Sequence, residues 1–143
     1  MYASATIAKY VTLVHKSTAA ERLWMILHTE RGPFLLGAWY RPPAHEHDSI
    51  HSCSAEHRLL REGVMGTLLL GDLNVHHESW LKFSSKTQAE AETLRQVTAE
   101  IGLTQRVKKP TRGKYLLDLA LSDMDGIQVD VLPKIADSKL QIG

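Results

Sequence analysis

Cysteine is nearly absent from this sequence: Cys53 stands alone. No internal disulfide can form, and a reducing compartment, nucleus or cytoplasm, is the expected setting. Long apolar runs are missing too. No stretch is long enough to span a bilayer, and the N-terminus lacks the basic-then-apolar order of a signal peptide, so no membrane partner is expected. Neither charge is in excess. Seventeen Lys and Arg against sixteen Asp and Glu leave a net charge of +1. A globally basic nucleic-acid binder is thereby excluded, and any such surface must be local. Repeats, low-complexity tracts and internal linkers are absent as well.

What remains is a chain of 143 residues, 43% hydrophobic and 23% charged. That is the balance of a globular protein with a sizeable core, and it predicts one domain over residues 1–143. Residues 4–14 are β-branched and aromatic and read as one or two short strands. The apolar runs 22–29 and 33–40, parted by Glu30-Arg31-Gly32, predict a β-hairpin that Pro42-Pro43 stops. A helix is expected over 47–62. The run 66–72, "GTLLLGD", predicts a strand buried on both faces. Thr87-Gln88-Ala89-Glu90 has capping-box form, and Leu94, Val97 and Ile101 carry a helix to Gly102. Strands follow at 115–122 and 127–133. The fold class is α/β (α+β), helices packed on a largely antiparallel sheet.

The polar residues are harder to place as structure alone. Asp72 and Asn74 close the leucine strand, and two histidines, Glu78 and Trp80 follow. Asp118 sits between leucines in "LLDLALS", and Asp137 lies in "KIADSKL", past residue 133. A carboxylate in low-dielectric surroundings needs a cation, a metal or hydrogen-bond donors beside it. Oxygen donors of this kind suit Mg²⁺, which takes one or two carboxylates and keeps water and substrate phosphate for the rest. Taken one at a time, Asp72-Leu73-Asn74 also reads as an Asx-turn, Asp118 as a solvent-facing strand residue and Asp137 as a loop acid. An EF-hand fails because His77 stands where that loop needs glycine. Zinc fails because adjacent histidines lack ligand spacing and Cys53 has no second cysteine. Trp80 reads as a packing residue, and so do Trp24 and Trp39. The densest basic stretch is Arg106, Lys108, Lys109, Arg112 and Lys114, beside Tyr115.

In order, the informative stretches read "YRPP", "LLLGDLNVHHESW", "PTRGKYLLDLALSD" and "IADSKL". That order resembles the endonuclease/exonuclease/phosphatase superfamily and, more narrowly, the endonuclease domains of non-LTR retroelements, from about Glu21 to the last residues. The resemblance implies a deoxyribonuclease-I-like α/β sandwich, Mg²⁺ as cofactor, DNA as partner and nicking by phosphodiester hydrolysis. It implies that Tyr40 contacts the scissile phosphate. Asp72 and Asn74 would align the attacking water and hold the phosphate, and Asp118 would orient a catalytic histidine. Asp137 would stand near the metal. Arg41, Lys108, Lys109, Arg112 and Lys114 would contact nucleic acid.

Two departures qualify that expectation. The pair expected as Asp-His is Asp137-Ser138, and serine neither becomes a cation nor acts as a base near neutral pH. The opening strands that carry an asparagine and the metal-binding glutamate in the resembled family have no counterpart here. Neither Glu21 nor Glu30 replaces them. The expectation is therefore an N-terminally incomplete domain with a weakened hold on Mg²⁺ and an exposed sheet edge open to self-association. Two alternatives stay open: a catalytically dead remnant keeping the scaffold, and a phosphatase for a small phosphoester.

Overall fold

The computed structural model describes residues 10–43, 48–133 and 138–142. Its elements run β1 (Val11–Lys16), β2 (Glu21–Thr29), β3 (Gly32–Tyr40), a helix here called α1 (Asp48–Leu60), β4 (Thr67–Asp72), α2 (Ala89–Glu100), β5 (Thr104–Gln105), β6 (Asp118–Ser122), β7 (Val129–Pro133) and β8 (Ser138–Ile142). Six strands form one sheet in the order β1-β2-β3-β4-β6-β5, and β7 pairs with β8 separately. All pairings are antiparallel except β3 with β4. That parallel pair needs a crossover rather than a tight turn, and α1 lies in it.

Alternation along β2 and β3 builds the core. Arg22, Trp24, Leu35 and Trp39 are buried, while Leu23 between them is exposed. Helix α1 covers that buried face. The guanidinium of Arg22 donates twice to Glu56, at 2.9 Å each, and Trp24 Nε1 donates to the same carboxylate at 2.9 Å. Arg22 also lies over the Trp39 ring, 4.4 Å from its centroid. This polar knot fixes α1 on the sheet: Arg22, Trp24 and Glu56 are partnered as burial requires, while the buried Trp39 Nε1 has no hydrogen-bond partner. Leu68 and Leu69, on opposite faces of β4, are both buried, matching the unbroken leucine run. At the end of α2, Gly102 takes φ 78°, and Gly102 and Leu103 donate to Ala99 and Thr98 in a Schellman closure.

Several expectations shift. The capping box does not form: the N-cap is Gln88, with no side-chain cap bond. Thr87 Oγ1 instead accepts from Glu78 N–H, because the preceding loop claims it. Strand 115–122 starts only at Asp118, since Thr111 Oγ1 accepts from the N–H groups of Leu117 and Asp118 and turns the chain there. The hairpin partner β8 was not expected from the sequence. Of the 4–14 region, only residues 10 and onward are described.

Candidate active site

The sheet registers set the geometry. Tyr40 on β3 pairs with Asp72 on β4, and Asp72 pairs with Asp118 on β6. Residues directly opposite in neighbouring strands point to the same face. Tyr40, Asp72 and Asp118 therefore form one row at one end of the sheet. Glu21 continues it beyond Tyr40. With strands about 4.8 Å apart, the Glu21 backbone lies about 10 Å from that of Asp72, with Tyr40 between them.

Gly71 brings the row together. A Cβ there would lie 1.9 Å from the Trp39 carbonyl oxygen, so only glycine lets β4 run this close to β3. The chain then leaves the sheet at Asn74, in the left-handed region at φ 49°. Asparagine tolerates that conformation, and its side-chain N–H donates to Arg41 O at 2.9 Å.

Arg112 closes the site from the turn before β6. Its Nε donates to Asp118 Oδ2 at 2.9 Å, and its terminal nitrogen donates to Asp118 Oδ1 and Asp72 Oδ2 at 3.2 Å each. One guanidinium spans both acids. Burial, and then the Asp118 charge, push the Asp72 carboxyl above its ordinary value. Arg112 and the Asn74 backbone N–H pull it back only in part. Asp72 Oδ1 is buried and has no hydrogen-bond partner.

The two histidines are architecture. His77 Nδ1 accepts from Trp80 N–H at 3.1 Å, so Nε2 carries the proton and donates to Glu92 Oε2 at 2.6 Å. Arg95 and His77 together hold the Glu92 carboxyl down to about 2. His76 meets Tyr115 edge-on at 5.1 Å, and its Nδ1 accepts from Ser85 N–H. These contacts pin the loop after Asn74 onto α2 and onto the turn that carries Arg112.

The basic residues divide. Lys108, Lys109, Arg112 and Lys114 are exposed, with the Lys114 ammonium 5.3 Å from the Tyr115 ring centroid. Arg41 is fully buried, donating to Glu90 and the Leu73 carbonyl, and no phosphate reaches it there. Arg106 turns inward to the Ser122 and Met124 carbonyls and leaves the patch. Asp137 lies outside the described residues.

Solved structures share this arrangement of elements. The chain is similar to the endonuclease domain of TRAS1, a telomere-specific non-LTR retrotransposon, with TM-score 0.67 and 16% identity, over 91% of this chain and 67% of that one. It is similar to the mannosyl-6-phosphatase Bt3783 of Bacteroides thetaiotaomicron VPI-5482, with TM-score 0.58 and 11% identity, over 94% and 68%. The human Nocturnin catalytic domain with bound sulfate anion gives TM-score 0.59 and 12% identity, over 94% and 59%. The chain has the deoxyribonuclease-I-like fold. It spans about two thirds of the first two neighbours and less of the third. No protein-family model and no curated protein matches it.

Within this fold the expected metal can be tested against the donors. Among the described residues no three His, Cys, Asp or Glu side chains converge as ligands. Asp72 Oδ1 is unpartnered but buried, and its acid and Asp118 already face a guanidinium. As arranged, the described residues do not fit a divalent cation. Two features were hidden from the sequence. The alignment of Glu21 with the row depends on strand register, and the bridging role of Arg112 depends on a turn folding back over β6.

Proposed function

We propose that this chain is a phosphodiester hydrolase domain of the retroelement endonuclease kind, acting on DNA. One observation carries the reading: Tyr40, Asp72 and Asp118 share a single row, with Asn74 just beyond it. In the reaction a water attacks phosphorus in line, the bond to the leaving oxygen breaks, and the water's proton must be taken up. Asp72 suits that last task. Its carboxyl is pushed up by burial and by Asp118, and one oxygen is unengaged. The Tyr40 hydroxyl and the Asn74 amide supply donors for phosphate oxygens. Lys108, Lys109 and Lys114 offer a short basic track for the backbone of the substrate. Mg²⁺ belongs to this proposal as cofactor, with Asp137 as its acid.

A second reading is a remnant that keeps the scaffold without turnover. It is favoured by Ser138 standing where the resemblance puts histidine and by the neutralised acid pair. Losing a general acid–base group costs about 10²–10⁴-fold in rate. Nicking of supercoiled plasmid in Mg²⁺, compared with Asp72→Ala, separates the two. Mg²⁺-dependent nicking that vanishes in Asp72→Ala supports the enzyme. No nicking above the Asp72→Ala background supports the remnant.

A further inference from the structure

The misfit between the acid pair and a divalent cation has a definite structural origin. Asp72 and Asp118 sit directly opposite each other on neighbouring strands. Two like charges so placed repel, and something must compensate them. The compensation is internal. Arg112 reaches Asp118 through two nitrogens and Asp72 through one of the same two, all at 2.9–3.2 Å. The turn that delivers it is fixed on both sides: Arg112 pairs with Tyr115 as an isolated bridge, Gly113 takes φ 59°, and Thr111 Oγ1 caps the start of β6. Yet the Arg112 side chain is 45% exposed, so an external anion can reach it.

We propose that Arg112 is a resident cation that bars a divalent ion from the Asp72–Asp118 pair until an anionic group draws the guanidinium away. Guanidinium binds phosphate in the same fork geometry as carboxylate. A phosphodiester arriving at the exposed side of Arg112 competes with the two acids for the same donors. Once Arg112 turns to the phosphate, the acids are left uncompensated and open to a cation. The site is thus held closed to metal in the absence of substrate. This deepens the hydrolase reading and rests on that end of the sheet being the reacting site. Its test reads ion binding rather than turnover, so failure of one does not entail failure of the other.

The test is a titration of the whole chain with Mn²⁺, with free ion followed by electron paramagnetic resonance. The wild-type chain should bind weakly. Arg112→Gln should bind on the order of tenfold tighter or more, the effect of removing a unit charge about 4 Å from the ion's position. Arg112→Gln combined with Asp72→Asn should lose that gain, which places the ion at the pair. Arg112→Lys, which keeps the charge without the fork, should fall between. Equal or weaker Mn²⁺ binding in folded Arg112→Gln would overturn the proposal, and so would a gain that survives Asp72→Asn. A measurement without substitution guards against a variant that fails to fold. In wild-type protein the Arg112 Nε–H resonance should move on adding dimethyl phosphate and stay fixed on adding Mg²⁺ alone. Movement with Mg²⁺ alone would also overturn it.

Discussion

Asp72 and Asp118 face each other across β4 and β6, and a single guanidinium holds both. The arrangement is electrostatically uneven. Asp118 has Arg112 on both oxygens, whereas Asp72 has one shared Arg112 contact and the Asn74 backbone N–H, and leaves Oδ1 without a partner. Burial, together with Asp118, raises the Asp72 carboxyl. A raised carboxyl contributes stability below its unfolded value and loses it as pH rises through the folded one. At neutral pH Asp72 therefore works against the fold. Asp72→Asn should leave stability unchanged or raise it by roughly 0.5–1 kcal/mol at pH 7. The difference should vanish near pH 3. Urea melts at both values check this, and a clear loss at pH 7 would contradict it.

Glu56 behaves in the opposite sense. Burial pushes its carboxyl up, but hydrogen bonds from Arg22, Ser17 and Trp24 outweigh burial and hold it below its ordinary value of 4.5. Its stabilisation is complete above that value and is lost as pH falls through the lower folded one. Glu56→Ala strands the buried Arg22 charge and should cost about 3–5 kcal/mol at pH 7. The variant should also lose part of the acid sensitivity of the parent below pH 4.5. Thermal melts across the acid range test both statements.

Gly71→Ala should be among the most damaging single-methyl additions. The new Cβ would meet a backbone oxygen at 1.9 Å, which no side-chain rotation relieves. Strands β3 and β4 would have to part beside Asp72. A loss of about 3 kcal/mol or more is expected, with Trp39 fluorescence reporting the separation. A loss under 1 kcal/mol on the scale typical of surface substitutions would refute the close approach.

Phe83 sits in the left-handed region at φ 63° with its side chain partly exposed. An L-residue with a bulky side chain pays about 1–2 kcal/mol there. Its carbonyl accepts from Leu116 N–H, a bond that any residue keeps. Phe83→Asn should raise stability by about 1 kcal/mol. A lower melting temperature would mean that the ring makes contacts worth more than the backbone strain.

Strand β1 has a neighbour on one side only among the described residues, and Leu13 and Val14 on it are exposed. Open edges with apolar side chains pair with other chains. Sedimentation should show concentration-dependent self-association that Leu13→Lys weakens. A monomer across the whole concentration range would count against an open edge.

The sequence by itself determined the hairpin of β2 and β3, the doubly buried leucine strand and the helix that follows it. Those features live in local periodicity, which survives without tertiary context. The order of "YRPP", "GDLN" and "LLDLALSD" likewise named Tyr40, Asp72, Asn74 and Asp118 as one group. Tertiary structure decided what those residues face. Arg41 and Arg112 look alike in sequence, as basic residues beside a proline turn. One is buried against Glu90 and the other lies across two acids, because register and chain reversal set their surroundings. Thr87 has the spacing of a cap yet serves Glu78, since a loop donor reached it first. The histidines of "GDLNVHHESW" carry no signal for α2, and only packing pairs His77 with Glu92. Strand register, loop closure and burial arise between segments far apart in the chain, and local pattern does not encode them.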